Sequence, residues 1–407
     1  MKNREGTVRR FRKILFWMHL TAGVSAGVVI FIMSATGALL ALQPQILNLI
    51  ERNVRFIEPG DLERLSAQAI VDGARAAKAI APATGLTLDS NPRASALVTF
   101  GTSGNVYVNP YTGAVLGEGS TTARAIFRTL TDWHRWLGKA GEGRATTKAI
   151  TGAANLAFLG LAMSGLYLWW PRQWTLARVR AVTVIDPRLS DKARDFNWHN
   201  SIGFWCAPVL IVLTLTATVI SYPWASNLVY RITGSPLPNQ GGAPRAEANP
   251  ATPRSQGDAR GERTESAEPS NSGKPADLDL LVAKAAEVMP SWGVMALRFP
   301  PRANGPVSVT MSDAGYWNPF ARSQLTLDSR TADMVRWEPY AAMSRGQKLR
   351  GWMRFAHTGE LGGLAGQIVA GLACLGGSFL VWTGLALAVR RFLAWRSTGV
   401  RENARAA

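Results

Sequence analysis

Long apolar stretches occur at four places along this chain. Residues 14–42, 147–170, 199–222 and 364–389 contain almost no charged side chains. Each stretch has about 20 residues or more, enough for an α-helix to cross a hydrocarbon layer about 30 Å thick. The pattern predicts a membrane α-helical protein with four transmembrane helices. The first stretch ends without a small-residue cleavage site, so we expect a retained anchor rather than a signal peptide.

The distribution of Lys and Arg predicts how these helices are oriented. Residues 1–13, 171–198 and 390–407 hold six, six and five Lys or Arg residues. Short basic segments of this kind stay on the cytoplasmic side of a membrane. We therefore expect a multi-pass protein of the bacterial inner membrane with both termini in the cytoplasm. Residues 43–146 and 223–363 would then face the periplasm.

Both long periplasmic segments are predicted to be α+β domains. Apolar residues recur with a helical period over 62–80 and 278–288, which predicts one helix in each domain. Alternating apolar and polar residues predict strands at 96–100, 105–108, 114–116, 307–311, 324–327 and 334–338. Each domain is expected to combine one helix with a small sheet.

The two halves of the chain follow one plan, which predicts a tandem repeat of two transmembrane helices and one outer domain. Ser-Gly-Leu-Tyr-Leu at 164–168 and Thr-Gly-Leu-Ala-Leu at 383–387 end the second and fourth apolar stretches in similar ways. The second half is longer because of residues 235–276, which are rich in Pro, Gly, Ser and charge. Such a segment cannot bury enough apolar surface to fold, so a disordered linker is expected.

Composition narrows the choice of partners and cofactors. The net charge is +18, and the basic segments suit anionic lipid headgroups, so a lipid partner is expected and nucleic acid is not. Cys206 and Cys374 both lie in apolar stretches, where small core residues are the simplest interpretation. The sequence has no Cys-x-x-Cys-His motif, which excludes covalently attached c-type haem.

The four histidines of the chain lie near the edges of four different apolar stretches. His19 and His199 begin the first and third, on the predicted cytoplasmic side, whereas His134 and His357 precede the second and fourth, on the outer side. They therefore sort into two pairs, one for each leaflet. Two imidazoles on facing helices are what a b-type haem needs as axial ligands. Zinc is less suitable, because no Cys or carboxylate pattern completes a tetrahedral set.

Small residues near the histidines also favour haem as the ligand of these side chains. His19, His199 and His134 are followed four residues later by Gly23, Gly203 and Gly138, whereas His357 departs from this spacing and is followed by Gly359. Positions i and i+4 share one face of a helix, and Gly there leaves room for a flat macrocycle.

The propionates of two b-type haems would require cations. Lys13, Arg194, Arg135 and Arg354 are near the histidines in sequence. The alternative is that these basic residues and the histidines are ordinary side chains at the membrane interface.

The sequence also resembles a known family. The motifs are Val-Tyr-Val-Asn-Pro-Tyr-Thr-Gly at 106–113, Trp-His-Arg-Trp-Leu-Gly at 133–138 and Phe-Ala-His-Thr-Gly-Glu at 355–360. They resemble the PepSY-associated transmembrane proteins, which include inner-membrane ferric-siderophore reductases of the FoxB type. The resemblance implies two PepSY outer domains, four core helices and haem-mediated reduction of iron chelates.

These observations predict a transmembrane oxidoreductase that passes electrons through two haems to a ferric siderophore. The chain has no glycine-rich dinucleotide motif, so the electron donor is expected to be a quinol or a separate cytoplasmic reductase. One alternative is a non-redox PepSY module that binds peptides or proteases. A transporter is disfavoured, because the apolar stretches hold essentially no acid or base for ion coupling.

Aromatic residues of the second outer domain are candidates for substrate contact. Trp292, Tyr316, Trp317 and Trp337 could form the walls of a siderophore pocket, because such a complex has apolar faces. Ordinary core packing or an interfacial belt is the alternative for each of them.

Overall fold

The computed structural model describes residues 2–59, 61–78, 81–170, 175–238, 277–300 and 305–406, with side chains described between residues 6 and 397. The helices are α1 (Lys2–Ala41), α2 (Gln43–Ile50), α3 (Arg52–Arg55), α4 (Ala67–Ala77), α5 (Thr121–Trp136), α6 (Gly143–Trp169), α7 (Leu176–Thr183), α8 (Asp191–Ser221), α9 (Pro223–Ile232), α10 (Leu278–Val288), α11 (Arg345–His357) and α12 (Gly363–Ala406). The strands are β1 (Gly85–Asp89), β2 (Ala96–Thr99), β3 (Asn105–Val108), β4 (Val115–Glu118), β5 (Trp292–Arg298), β6 (Val307–Asp313), β7 (Ser323–Leu327) and β8 (Met334–Glu338).

The chain divides into two compact units. Residues 1–43, 126–237 and 345–407 form a helical unit, and residues 44–125 and 238–344 form a sheet unit. Four helices of the helical unit, α1, α6, α8 and α12, are long and apolar enough to cross a membrane. The prediction of four membrane-spanning helices is therefore confirmed.

The spanning helices pack in a ring. α1 and α8 each pack against both α6 and α12, which places α1 and α8 diagonally across the bundle. Large apolar side chains such as Val28, Phe31, Met163 and Leu372 point outward and are exposed. An exposed apolar surface of this kind is stable when lipid rather than water surrounds it.

Two histidines lie on helices separate from the spanning ones. His134 is near the end of α5, and His357 is the last residue of α11. α5 ends because Leu137 and Gly138 both adopt positive φ, and Gly359 does the same two residues after α11. Positive φ interrupts the helical hydrogen-bond ladder, and glycine adopts it without a steric penalty.

The strands of the sheet unit form one antiparallel sheet of eight. Its order is β4-β3-β2-β1-β5-β6-β7-β8, with β1 and β5 paired at the centre from Gly85–Arg298 to Asp89–Val294. Each half of the sheet consists of four strands that are consecutive in sequence, preceded by a helix that covers it, α4 or α10. The two helices also pack against each other.

The shared sheet differs from the expectation of two outer domains with a sheet each. β1 and β5, which the sequence analysis did not assign, are the strands that join the two halves. If they were unpaired, each would expose a row of backbone hydrogen-bonding groups, and pairing with each other removes both edges. The helix expected over 62–80 is shorter, because Ser66 caps α4 by accepting a hydrogen bond from the Ala69 amide; Ile80 lies outside the described residues.

A buried ion cluster joins three elements of the sheet unit. The Glu51 side chain is 1% exposed and accepts hydrogen bonds from Arg55, from both Nε and Nη2 of Arg124, and from the Ser120 amide. The Tyr107 hydroxyl donates to it as well. Burial by itself raises the pKa of Glu51, but the hydrogen bonds and charges of the two guanidinium groups outweigh it, and the net shift is downward. Glu51 is therefore held as a carboxylate.

The linker expected at 235–276 lies outside the described residues from 239 onward. Its first residue has a defined role, because the Ser235 hydroxyl accepts a hydrogen bond from the Gly346 amide in the first turn of α11.

Candidate functional site

The four histidines form two pairs inside the helical unit. The ring centroids of His19 and His199 are 6.4 Å apart, and those of His134 and His357 are also 6.4 Å apart. We call these the 19–199 pair and the 134–357 pair. Because His19 is on α1 and His199 is on α8, the first pair faces across the diagonal of the bundle.

The pairs lie far apart along the bundle. The imidazole of His134 contacts α1 at Met33 and Thr36, 14 to 17 positions after His19 on the same helix. At about 1.5 Å per residue, this spacing separates the two pairs by roughly 20–25 Å along the helix axis. The arrangement on α8 is equivalent, since His357 contacts it 14 to 17 positions after His199.

All four imidazoles make their hydrogen bonds through Nδ1. The partners are Ser164 Oγ for His19 (2.9 Å), Thr383 Oγ1 for His199 (2.9 Å), the Met33 carbonyl for His134 (2.9 Å) and the Leu213 carbonyl for His357 (2.9 Å). Within the described residues, Nε2 of these rings makes no hydrogen bond. A histidine whose Nδ1–H is donated to a neighbour presents a neutral Nε2 to a metal ion.

The same local device recurs beside each histidine. A hydroxyl residue of a spanning helix lies at Nδ1, and the next residue in sequence is small. The four dipeptides are Ser164-Gly165, Thr383-Gly384, Thr36-Gly37 and Thr216-Ala217.

The three glycines of these dipeptides lie directly against the imidazoles. A methyl group added at Gly165 would lie 3.3 Å from Cε1 of His19, and one added at Gly384 would lie 3.4 Å from Cε1 of His199. The corresponding distance from Gly37 to Cε1 of His134 is 3.2 Å. The sequence analysis missed these residues, although a Ser or Thr followed by a small residue in each apolar stretch was a visible pattern.

A cavity of about 610 Å³ contains the 19–199 pair. Its walls come from all four spanning helices and are mostly apolar, and Gly23 and Gly203 are part of them. Gly138 behaves differently: it lies beyond the end of α5 with φ of 74°, so the helical-face argument does not apply to it. Its role is to terminate the helix that carries His134.

Among the described residues that line this cavity, four are cationic and none is a carboxylate. They are Arg12, Lys13, Lys192 and Arg391. The Arg12 guanidinium donates a hydrogen bond to the Leu168 carbonyl, and that of Arg391 lies over the ring of Phe16.

The other predicted cations have different partners. Arg194 pairs with Asp195, and Arg135 lies over the ring of Trp136. Arg354 lies over the ring of Phe355.

The spacing of each pair fits one metal ion bound between two imidazoles. A metal–nitrogen bond of about 2.0–2.1 Å on each side, with about 1.1 Å from nitrogen to ring centre, predicts centroids about 6.3 Å apart. The observed 6.4 Å matches in both pairs. Among the described residues no three His, Cys, Asp or Glu side chains group together, so a metal ion at either pair would have two protein ligands and leave its other positions to a chelating group such as haem. The residues present therefore fit haem.

The 134–357 pair is deeply buried. Burial lowers the pKa of His134 to about 4 and also lowers the pKa of His357. Both rings are neutral at pH 7, which is the form that binds a metal.

The aromatic residues predicted to contact substrate fall into two groups, all in the sheet unit. Trp292 and Trp337 are partly buried and pack against the hydrophobic core. Trp292 also borders a second cavity of about 210 Å³. Tyr316 and Trp317 have ring centroids 6.0 Å apart and are exposed, Trp317 at 71%. Core packing accounts for the first group, and the exposed pair remains a candidate contact surface.

Comparison with known protein families gives a match over most of the chain. A family model described as PepSY-associated TM region matches residues 16–391. A comparison with individually curated proteins found no match.

Proposed function

This chain belongs to the family of PepSY-associated transmembrane proteins, and we propose that it is a di-haem protein of the bacterial inner membrane that reduces ferric siderophores in the periplasm. The observation that carries the proposal is the matched geometry of the two histidine pairs, 6.4 Å between centroids in each, with every Nδ1 already hydrogen-bonded. When bound, a haem iron supplies one-electron chemistry.

The residues of the chain have separable tasks in this proposal. His19 with His199 would hold one haem, and His134 with His357 would hold the other. The hydroxyl and carbonyl partners at Nδ1 hold each ring in one tautomer and orientation. The glycines beside the rings keep their edges clear, and the apolar walls of the larger cavity exclude water.

The two pairs would carry electrons in one direction across the membrane. The basic segments of the sequence support a cytoplasmic position for the 19–199 pair, where a quinol or a separate cytoplasmic reductase would be the donor. The 134–357 pair would then deliver electrons to the chelate. Reduction weakens the hold of a hard-oxygen siderophore on iron, because Fe(II) is softer and less charged than Fe(III).

The charge at the cavity edge supports haem as the occupant. Lys13 and Lys192 line the cavity, and within the described residues neither makes an ion pair. Haem has two carboxylates on one edge and is otherwise apolar. An apolar cavity with cations at one edge matches that distribution.

Haem stoichiometry tests the assignment of the pairs. The pyridine haemochrome assay on purified, fully loaded protein should give two haems per chain. Each single His→Ala variant should retain one. The double variant His19→Ala/His199→Ala should also retain one, because both ligands serve the same haem, whereas His19→Ala/His357→Ala should retain none. Less than one haem per chain in the wild type would overturn the proposal and favour the non-redox PepSY module, for which the histidines are dispensable.

Reoxidation tests the direction of transfer. Dithionite-reduced wild type should be reoxidised on adding ferric desferrioxamine. His357→Ala should keep one reducible haem but lose this fast reoxidation, because the pair beside the exit is broken. Reoxidation of His357→Ala at the wild-type rate would show that electrons do not leave through the 134–357 pair.

A further inference from the structure

The four imidazoles differ in what accepts their Nδ1 proton. His134 has the Met33 carbonyl at 2.9 Å as well as a hydroxyl at 3.1 Å. His357 likewise has the Leu213 carbonyl at 2.9 Å and a hydroxyl at 3.4 Å. His199 is 2.9 Å from the Thr383 hydroxyl.

His19 differs from His134 and His357, because no carbonyl lies within hydrogen-bond distance of its ring among the described residues. Its Nδ1 lies 2.9 Å from Ser164 Oγ, and among the described residues this hydroxyl is its one hydrogen-bond partner. The carbonyl three residues earlier, that of Leu161, accepts the proton of the Ser164 hydroxyl at 3.3 Å. The chain of donors therefore runs from His19 Nδ1–H to the Ser164 oxygen, and from the Ser164 O–H to the Leu161 carbonyl.

We propose that Ser164 is the positioning residue that fixes His19 and sets the midpoint potential of the metal centre held by the 19–199 pair. The inference rests on the proposed function, since it concerns the haem that this pair would hold. Accepting a hydrogen bond from Nδ1–H makes the imidazole a stronger electron donor at Nε2 and stabilises the oxidised metal. Loss of the acceptor therefore raises the midpoint potential.

The hydroxyls at the other pair provide the matched control. Thr36 occupies the corresponding place beside His134, but the Met33 carbonyl remains an acceptor when the hydroxyl is removed. Thr36→Val should therefore have little effect, although it removes the same kind of group. Ser164→Thr keeps a hydroxyl at the position and should behave as the wild type.

The experiment is a potentiometric titration of the purified holoprotein, with electron paramagnetic resonance of the oxidised form. Ser164→Ala should retain two haems, shift one of the two titration components to higher potential and move the resonance of one low-spin species. Thr36→Val and Ser164→Thr should leave both components in place. Ser164→Cys has a weaker hydrogen-bond acceptor of similar size and should shift the potential of the same component by less. If Ser164→Ala loses haem, Ser164→Cys is the variant to be measured.

Three results would overturn the inference. The first is that Ser164→Ala keeps two haems with wild-type potentials, or that Ser164→Cys does so if Ser164→Ala loses haem. A carbonyl such as that of Leu161 would then substitute for the hydroxyl. The second is a shift in Thr36→Val as large as that in Ser164→Ala. The third is a failure of Ser164→Thr to restore the wild-type values. A wild type without haem would instead refute the proposed function itself, so the two failures are distinguishable.

Discussion

Replacing Glu51 by Gln should destabilise the sheet unit strongly. Its carboxylate is 1% exposed and pairs with Arg124, whose side chain is 12% exposed, through two hydrogen bonds of 2.6 and 2.7 Å. Removing one partner of a buried ion pair leaves the other charge uncompensated and costs about 3–5 kcal/mol. In a unit of this size, 1 kcal/mol lowers Tm by about 2–4 °C, so we expect a decrease of about 6–20 °C.

The measurement is thermal unfolding of the purified full-length protein in detergent, followed by intrinsic fluorescence. Glu118→Gln is the matched control, because Glu118 also pairs with a cation, Lys78, but its side chain is 45% exposed. Exposed pairs contribute at most about 1 kcal/mol, so the control should lower Tm by a few degrees at most. Equal shifts for the two variants would refute the reasoning that burial makes the Glu51 cluster important.

The pH dependence of the stability of the sheet unit follows from the lowered pKa of Glu51. A carboxyl group whose pKa is lower in the folded state contributes stability that is fully present above its unfolded pKa. That contribution is lost as the pH falls through the folded value, which lies below the ordinary value of 4.5. The difference in Tm between wild type and Glu51→Gln should therefore be constant near neutral pH and narrow below pH 4.5. A difference that widened on acidification would contradict the assigned direction.

Three further predictions concern the helical unit. Gly165→Ala should reduce haem content at the 19–199 pair, because the added methyl lies 3.3 Å from the His19 ring. Gly160→Ala on the same helix points its methyl into open space and should leave the haem content unchanged, and the haemochrome assay measures both variants. The double variant Lys13→Gln/Lys192→Gln should weaken retention of haem but not of haem dimethyl ester, which lacks the carboxylates. Equal losses for both compounds would show that these lysines do not bind the haem carboxylates. Asn155→Ala should lower stability by about 1–3 kcal/mol, because this buried amide donates two hydrogen bonds to oxygens of α8 and both would be lost; a denaturation midpoint unchanged from wild type would contradict it.

Local pattern was sufficient to predict several elements of this protein. Long apolar stretches identified the four spanning helices, because a membrane requires about 20 consecutive apolar residues whatever the rest of the chain does. Helix α10 at Leu278–Val288 and strand β8 at Met334–Glu338 have the predicted bounds. These elements bury one face in a simple periodic way, and the period is visible in the sequence.

The positions of the histidines were also visible, and the structure brings each predicted pair together. What the pattern did not reveal was the set of groups that hold them. Ser164 and Thr383 are far from their histidines in sequence, and the carbonyls of Met33 and Leu213 have no side-chain signature at all. Such contacts depend on how helices pack, which local periodicity does not specify.

The central strands show the same limit in the sheet unit. β1 has five residues and β5 begins with Trp-Gly, so neither presents a long alternating pattern. Each is stabilised by strands on both sides, and their partnership links residues more than 200 positions apart. Sequence alone determined which segments are apolar and that the four histidines lie near the ends of those segments. Tertiary structure decided that two expected domains share one sheet and that each imidazole is hydrogen-bonded through Nδ1, because both depend on hydrogen bonds between groups distant in the chain.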